Sequence, residues 1–593
     1  MASESRELSW KIGGEQGEGI DSCGDVLLTV VGRMGYHAYG YKWFSSRIKG
    51  GHTSYKVRVA DQPVRSATSD LHVLVALDQE TIRVEARELA AGGLIVADSQ
   101  FSPVLPEGRD DVRLLAVPFT QIAKDAGGIL YRNMAALGAT AALLNLPLAA
   151  FEDYVAKKFG RKGEAVVAQN REALKAAHSA TLEGLGGPSP LHLPPADGRS
   201  RLLLTGNEAL ALGAVAAGCR IFAGYPITPA SSVMESLVEF FPKVGGVVVQ
   251  AEDEIASITM VAGAAYGGAR AMTATSGPGI SLMQEGLGLA STAELPVVVV
   301  DCQRSGPSTG MPTKNEQSDI LALVYGGHGE APRIVICPAT HEQAFADGAE
   351  AFNLADRFQC PVIIASDLAL AEWKATVDED DIDLDAVRVD RGALISQRDL
   401  EERAQGGGFY RYEVTSSGVS PRSLPGMAGG QYLATGTEHA RTGKVSEDPQ
   451  NRISMMMKRL RKLDGVDFPS HTLEGDPAGS LALVAFGSTY GAVREAAERL
   501  NREGIRTRHV HVRRVAPFPA AELRTALEGA TRVLVVEHNA TGQLRALLIQ
   551  NSVAQNPPES LLKFDGTLLV PDEVVAAVVG SGAAAVVKEE VIG

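Results

Sequence analysis

Ala223-Gly224-Tyr225-Pro226-Ile227-Thr228-Pro229-Ala230-Ser231-Ser232 is the stretch on which the reading of this chain turns. It follows Arg220–Ala223, an apolar run of strand length, and leads into a helix. Two prolines fix the backbone beyond the strand's carboxyl end, which is where α/β proteins place their ligands. Thr228, between the prolines, offers a hydroxyl to a ligand oxygen, and Ser231 or Ser232 is placed to cap the next helix. On local physics alone, a proline-stiffened strand–helix turn accounts for the same residues.

Around this stretch lie further apolar runs, Val247–Gln250, Val297–Asp301, Ile334–Cys337 and Val362–Ser366, with helical segments between them. This alternation predicts a doubly wound α/β domain over residues 200–375. Before it, residues 1–185 read as another α/β unit. A strand over Leu8–Ile12 leads through a glycine-rich turn into a helix over Ile20–Gly35, and strands follow at Leu71–Leu77, Gly93–Ala97 and Leu114–Val117. The Pro/Gly-rich stretch 186–199 reads as a linker. Residues 376–478, with an acidic run at Asp378–Asp385 and much Gly, Ser, Arg and Pro, predict an extended connector with little core of its own. Residues 479–593 return to α/β, with strands at Leu481–Phe486, Arg508–Val515 and Val533–Glu537. The fold class is therefore α/β, with three such domains and one long connector.

The chain has 593 residues, 45% apolar and 21% charged, and a formal net charge of −15. That balance argues against a nucleic-acid role, which favours a basic chain. No apolar run reaches the roughly 18–20 residues of a membrane span. Met1–Glu7 is polar and lacks the apolar core of a signal peptide, so a cytoplasmic location is expected. The five cysteines, Cys23, Cys219, Cys302, Cys337 and Cys360, form no C-x-x-C pair. Scattered cysteines suit reduced thiols, and they do not suit a cubane iron–sulfur cluster, which needs grouped ligands.

Three further stretches carry possible chemistry. Gln250-Ala251-Glu252-Asp253-Glu254-Ile255-Ala256 puts three carboxylates where a strand meets a helix, and such groups commonly serve the helix dipole. Thr273-Ala274-Thr275-Ser276-Gly277-Pro278-Gly279 supplies hydroxyls and a sharp turn that would let a ring or anion approach. Gln303-Arg304-Ser305-Gly306-Pro307-Ser308-Thr309-Gly310 puts Arg304 at the end of a strand, where a guanidinium forks a carboxylate. An ordinary loop and a surface arginine are the plainer readings of these last two. In the first domain, Gly13-Gly14-Glu15-Gln16-Gly17-Glu18-Gly19 lacks the dinucleotide spacing G-x-G-x-x-G, and no clear acidic ribose partner follows. His509 and His511 alternate on one strand face without a third ligand, a poor metal site. No metal ligands are assigned to this chain.

In this order the motifs resemble the pyrimidine-binding domain of the 2-oxoacid:ferredoxin (acceptor) oxidoreductases. That family's YPITP signature stands here as Tyr225, Pro226, Ile227, Thr228 and Pro229. Its aminopyrimidine-engaging glutamate matches Glu254, and its substrate arginine matches Arg304, with Gln317-Ser318-Asp319 downstream. Residues 1–185 look like the family's gamma domain fused in front, with Gly13–Gly19 and Ser46-Arg47-Ile48-Lys49-Gly50-Gly51-His52 as its motifs. Residues 479–593 are similar to a transketolase carboxy-terminal domain. One departure is Ala230, where many relatives have Ser after the second proline. It puts in doubt only a secondary hydrogen bond.

The resemblance implies an alpha subunit that binds the pyrimidine side of thiamine diphosphate. Tyr225, Pro226, Ile227, Glu254, Ser276 and Gly277 would contact the cofactor, and Glu254 would be catalytic. Thr228 and Arg304 would bind the 2-oxoacid, and Arg47 and Lys49 would help hold coenzyme A. No G-D-G…N motif for diphosphate and magnesium occurs, so Mg2+ and the [4Fe-4S] cluster are expected on a beta subunit, in an (αβ)2 assembly that passes electrons to ferredoxin. The segment Gln303–Thr313 looks like the 2-oxoglutarate branch, though pyruvate or a broad 2-oxoacid range would use the same machinery. A different class stays open: a nucleotide-binding electron-transfer or acyl-CoA-handling protein, or a scaffold, built on the same α/β domains.

Overall fold

The computed structural model describes residues 6–44, 51–554 and 556–580. The chain forms two compact units. The first comprises residues 6–204 with Trp373–Asp381 and Val570–Asp572. Its sheet has eight strands in the order Arg113–Val117, Leu89–Asp98, Leu71–Ala76, Glu7–Glu15, His52–Ala60, His37–Trp43, Lys374–Val377 and Leu202–Thr205. The Glu7–Glu15 strand pairs in parallel with Leu71–Ala76 and antiparallel with His52–Ala60, so the sheet is mixed. The glycine-rich turn places Gly19 at φ 82°, a left-handed backbone that glycine adopts without strain, and the helix Ile20–Met34 starts there.

The strands His37–Trp43 and His52–Ala60 carry no long apolar run. The second buries Lys56 and Arg58. Each cation is neutralised inside the fold: Lys56 Nζ donates to Glu88 Oε2 at 3.0 Å and to the Thr68 carbonyl at 2.7 Å, and Arg58 Nη2 donates to Glu7 Oε2 at 2.6 Å. A hydrophobic pattern does not reveal such strands, because burial is bought here with ion pairs.

The second unit comprises Thr205–Glu372, Ile382–Leu569 and residues 573–580. Its larger sheet runs Arg514–Ala516, Ile334–Ile336, Val362–Asp367, Val298–Gln303, Arg270–Thr275, Cys219–Gly224 and Val247–Gln250. All pairs are parallel except the first. The strand Arg270–Thr275 sits near the middle, where the sequence reading marks only the hydroxyl-bearing turn Thr273–Gly279. It is fully buried yet reads R-A-M-T-A-T, because small side chains fit where helices press on both faces of a parallel sheet. A five-stranded sheet, His471–Gly475, Thr507–Val512, Leu481–Phe486, Arg532–Glu537 and Glu559–Leu562, completes this unit.

Within the stretch expected to be an extended connector, two helices form, Gln397–Gln405 and Pro449–Arg461. The segment also has an interior, made of charges. Glu294, wholly buried, receives Lys458 Nζ at 2.6 and 2.7 Å and Lys462 Nζ at 2.5 Å, while Arg411 Nη2 donates to the Glu294 carbonyl at 2.8 Å. Burial opposes ionisation of Glu294, but Lys462, Lys458 and Arg411 outweigh it and hold the carboxyl far below the usual range. A second cluster joins Arg422 and Arg270 to Asp356, each at 3.0 Å. Among the described residues no helix is long and apolar enough to cross a membrane.

His509 and His511 are both fully buried, with His511 Nδ1 3.3 Å from His509 Nε2. Burial, with Arg494 adding, drives His509 down to about 3, and burial with His509 and Arg513 drives His511 well below its ordinary value. Both rings are therefore neutral in the native state.

Two expectations follow. Glu294→Gln strands two buried ammonium groups and should cost about 3–5 kcal/mol in urea denaturation. A loss below about 1 kcal/mol would show that the charges are not coupled. Because the unfolded histidines protonate near pH ~6.5 and the native pair does not, stability should be complete above that pH and fall as pH drops below it, by up to about 1.4 kcal/mol per pH unit for each ring. His509→Asn and His511→Asn should each flatten that slope.

Candidate functional site

Four neighbouring parallel strands of the larger sheet, Val298–Gln303, Arg270–Thr275, Cys219–Gly224 and Val247–Gln250, deliver the candidate residues from their carboxyl ends. Consecutive βα turns thereby line one edge of the sheet, the position at which open α/β sheets bind ligands.

The turn after Cys219–Gly224 is built by local bonds. The Ile227 carbonyl accepts from the N–H groups of Ala230 at 2.8 Å and Ser231 at 3.0 Å. Asn207, buried near the start of the helix Gly206–Ala216, donates from Nδ2 to the Pro229 carbonyl at 2.9 Å and to Ser232 Oγ at 2.8 Å. Ser232 Oγ in turn donates to Glu372 Oε1 at 2.7 Å. Neither serine caps the helix: Ala230 is the capping residue and no side chain caps it. The Thr228–Pro229 peptide is cis. Tyr225, Pro226 and Thr228 are exposed, and Ile227 is half-buried. The turn thus presents its side chains outward while its backbone is fixed from below.

The carboxylates after Val247–Gln250 divide their work. Asp253 caps the helix Glu254–Tyr266, its Oδ1 accepting from Ala256 N–H at 2.7 Å. Glu254 is only 6% exposed, and its carboxylate has no hydrogen-bond partner among the described residues. It lies against Gly279, where a methyl group would overlap Thr275 Oγ1 and stand 2.8 Å from Glu254 Cγ and 3.0 Å from Glu254 Oε1. Ser276 is wholly buried with an unpartnered Oγ, and Thr273 Oγ1 is likewise without a partner. Gly277 admits Asp319, whose Oδ2 would be 2.7 Å from a Cβ at that position.

Arg304 is 7% exposed. Its Nη1 donates to the Thr228 carbonyl at 2.8 Å and its Nη2 to the Thr309 carbonyl at 3.4 Å, while Nε has no acceptor. Among the described residues no carboxylate forms an ion pair with it. Burial lowers its pKa, with Asp319 opposing. An enclosed guanidinium without a counter-ion is costly unless an anion arrives.

The structure therefore joins Arg304 to Thr228, and Glu254 to the Thr275–Gly279 turn. Arg47 and Lys49 lie outside the described residues. Sequence reading missed Asn207, Asp301 and Asp319. Asn207 sits in the first turn of a helix and Asp301 at the end of an apolar run, with no motif to mark either, and Asp319 stood only downstream of the Arg304 motif. It also missed how Gln317 is placed. Gln317 Nε2 donates to Asp367 Oδ2 at 2.7 Å, and its backbone N–H to the His538 carbonyl at 2.6 Å. The cofactor fit rests on orphaned groups: an unpartnered Glu254 carboxylate, the buried Ser276 and Thr273 hydroxyls, and a glycine cradle at Gly279.

Comparisons with known proteins give the family. Residues 212–458 match the family described as "Pyruvate flavodoxin/ferredoxin oxidoreductase, thiamine diP-bdg", residues 9–180 match "Pyruvate ferredoxin/flavodoxin oxidoreductase", and residues 479–574 match "Pyruvate:ferredoxin oxidoreductase core domain II". The chain is 35% identical to "2-oxoacid:ferredoxin oxidoreductase 2, subunit alpha" of Aeropyrum pernix, over 96% of this chain and 97% of that protein. It is 31% identical to "2-oxoglutarate oxidoreductase subunit KorA" of Mycobacterium tuberculosis, over 95% of this chain and 90% of that protein. The solved structure of 2-oxoglutarate:ferredoxin oxidoreductase from Magnetococcus marinus, with 2-oxoglutarate, coenzyme A and succinyl-CoA bound, superposes with a TM-score of 0.91. It covers 97% of this chain and 100% of that one at 34% identity. The chain belongs to the 2-oxoacid:ferredoxin oxidoreductase family as an alpha subunit, and it carries the family's thiamine-diphosphate-binding domain.

Gly279 leaves room for Thr275 Oγ1 and for Glu254, so Gly279→Ala should displace both and cut thiamine-diphosphate-dependent turnover by at least about tenfold, with circular dichroism unchanged. Unaltered turnover would show that this close packing is not needed.

Proposed function

We propose that this chain is the thiamine-pyrimidine and substrate half of a coenzyme-A-dependent 2-oxoglutarate:ferredoxin oxidoreductase. In this reading the enzyme converts 2-oxoglutarate to succinyl-CoA and CO2 and passes electrons to ferredoxin. The observation that carries it is a buried, counter-ion-free Arg304 bonded to the Thr228 carbonyl, on the same sheet edge as a buried, unpartnered Glu254. Two relatives support the choice of acid by their names or titles, the KorA subunit and the Magnetococcus marinus enzyme with its bound 2-oxoglutarate.

Thiamine diphosphate, when bound, supplies a carbon nucleophile and an electron sink. The residues of this chain would supply position and proton control. Glu254 would hold a proton at the aminopyrimidine ring, close to the unpartnered Ser276 hydroxyl and to Gly277. Arg304 would fork the 2-oxoacid carboxylate, and the exposed Thr228 hydroxyl would donate to that carboxylate or to the keto oxygen. Tyr225, Pro226 and Ile227 would shape the wall beside the ring. Arg47 and Lys49 are proposed as part of the coenzyme A site.

The five cysteines are all buried and unpaired, and burial pushes Cys23, Cys219 and Cys360 up to about 12. Such thiols are poor cluster ligands. This supports assigning the [4Fe-4S] cluster, and with it Mg2+ and the diphosphate motif, to a beta subunit, in an (αβ)2 assembly.

Reconstitution with the beta subunit and dye reduction tests the reading. The kcat/KM for 2-oxoglutarate should exceed that for pyruvate, and Glu254→Gln should lower kcat by about 10²–10⁴-fold. Equal rates on the two acids would defeat the substrate assignment, and a fully active Glu254→Gln complex would defeat the role given to Glu254.

A further inference from the structure

The five-stranded sheet carries none of the groups placed at the site, yet it takes hold of the loop that bears Arg304. That loop runs from Arg304 to Glu316, and Gly306–Met311 at its tip are exposed. It closes on itself where Ser305 N–H donates to the Lys314 carbonyl and Met311 N–H to the Ser305 carbonyl, each at 3.0 Å. Ser308 has φ 58°, a left-handed backbone that disfavours a non-glycine residue and persists only where the surroundings enforce it. Beyond Lys314 the chain is fixed from two sides. From the larger sheet, Ala369 N–H donates to Asn315 Oδ1 at 3.0 Å, and Gln303 Oε1 accepts from Asp319 N–H at 3.0 Å.

From the five-stranded sheet, the grip falls on Gln317, which is wholly buried. Its N–H donates to the His538 carbonyl at 2.6 Å, and its carbonyl accepts from Asn539 Nδ2 at 3.1 Å. Its Nε2 donates to the Phe486 carbonyl at 3.1 Å and to Asp367 Oδ2 at 2.7 Å, and its Oε1 accepts from His538 N–H at 3.3 Å. Both backbone groups and both ends of the amide are therefore engaged. Gly487 makes room for that amide, since a Cβ there would stand 2.5 Å from Gln317 Nε2. At the start of the helix Gln543–Gln550, Gln543 Nε2 donates to the Ser318 carbonyl at 2.6 Å, and its Oε1 accepts from Leu321 N–H at 3.0 Å.

We propose that the five-stranded sheet serves the site by pinning this loop, with Gln317 as the positioning residue that fixes where Arg304 stands. This rests on the reading of Arg304 as the clamp for the 2-oxoacid carboxylate. A guanidinium forks a carboxylate only in a narrow geometry, and a shift of about an ångström forfeits it. The Thr228 carbonyl holds Arg304 itself, and Gln317 holds the far end of the loop. The bonds to Gln317 are not needed to join the two sheets. Ile320 and Leu323 already share one apolar cluster with Val484 and Val535. Apolar contact is non-directional, whereas the engaged amide sets one register for the loop. Glu254 and Ser276 stand on turns from other strands, so loss of the pin moves the substrate group and leaves the cofactor groups in place.

The test uses the complex reconstituted with the beta subunit. Gln317→Met keeps the length of the side chain and removes its amide. The KM for 2-oxoglutarate should rise by at least about tenfold, with kcat changed less and thiamine-diphosphate affinity unchanged. Amide hydrogen exchange should quicken over residues 305–319 and keep the wild-type rate over 225–232 and 273–279. If Gln317→Met does not fold, Gln543→Ala decides by the same two readings, since it removes two bonds to the same stretch and leaves Gln317 in place. His509→Asn alters the same sheet without touching the loop and should leave KM as it is. An unchanged KM in the deciding variant, unaltered exchange over 305–319, or an equal rise of KM in His509→Asn would overturn the proposal. Arg304→Lys keeps the two ideas apart: an unchanged KM there sinks the clamp reading, and the exchange rates over 305–319 then decide the pin alone.

Discussion

The bond from Arg304 Nη1 to the Thr228 carbonyl is 2.8 Å long and ties together turns from two strands that are not neighbours. Val298–Gln303 and Cys219–Gly224 are separated in the sheet by Arg270–Thr275, so this one contact spans the edge on which every candidate group stands. It also commits a buried cation to a neutral carbonyl. The guanidinium has Asp319 near enough to oppose the cost of burial but forms no ion pair, and Nε is left without an acceptor. A site that stores an unpaired cation inside a fold has spent stability on binding, and the rest of the unit is arranged to bear that cost.

How it is borne is visible in the charges elsewhere. Glu294 with Lys458 and Lys462, and Asp356 with Arg270 and Arg422, are buried clusters in which both signs are present and the hydrogen bonds are made. They clamp the segment between the two sheets of the second unit onto its helices, beside a few buried apolar side chains such as Leu400, Tyr412 and Met455. Arg304, Asp301 and Glu254 stand apart from these. They are enclosed to a similar degree but form no ion pair among the described residues, and the contrast within one unit separates structural charge from charge held for a ligand.

The pattern of apolar runs recovered the parallel strands Ile334–Ile336 and Val362–Asp367, since strands covered on both faces read as continuous hydrophobic stretches, and it recovered the edge strand Val247–Gln250, which is not buried. It failed for His52–Ala60 and Arg270–Thr275. One hides its burial behind paired cations, and the other is made of alanines and threonines that fit beneath close-packed helices. Among the site residues, Thr228, Glu254 and Arg304 were legible because each falls just after a strand, in a motif. Asp301 and Asn207 were not, because a single polar residue within a buried run looks like any other strand or helix position until its partners are known.

By itself the sequence determined the α/β class, the order of the turns and the types of group each one carries, because these depend on local backbone chemistry and on periodicity along the chain. Tertiary structure alone decided that four of those turns share one sheet edge, that Asp253 serves its helix while Glu254 does not, and that Arg304 has no counter-ion. These are facts about which groups remain unsatisfied after packing, and hydrogen-bond satisfaction is a property of neighbours in space, which a linear pattern does not contain.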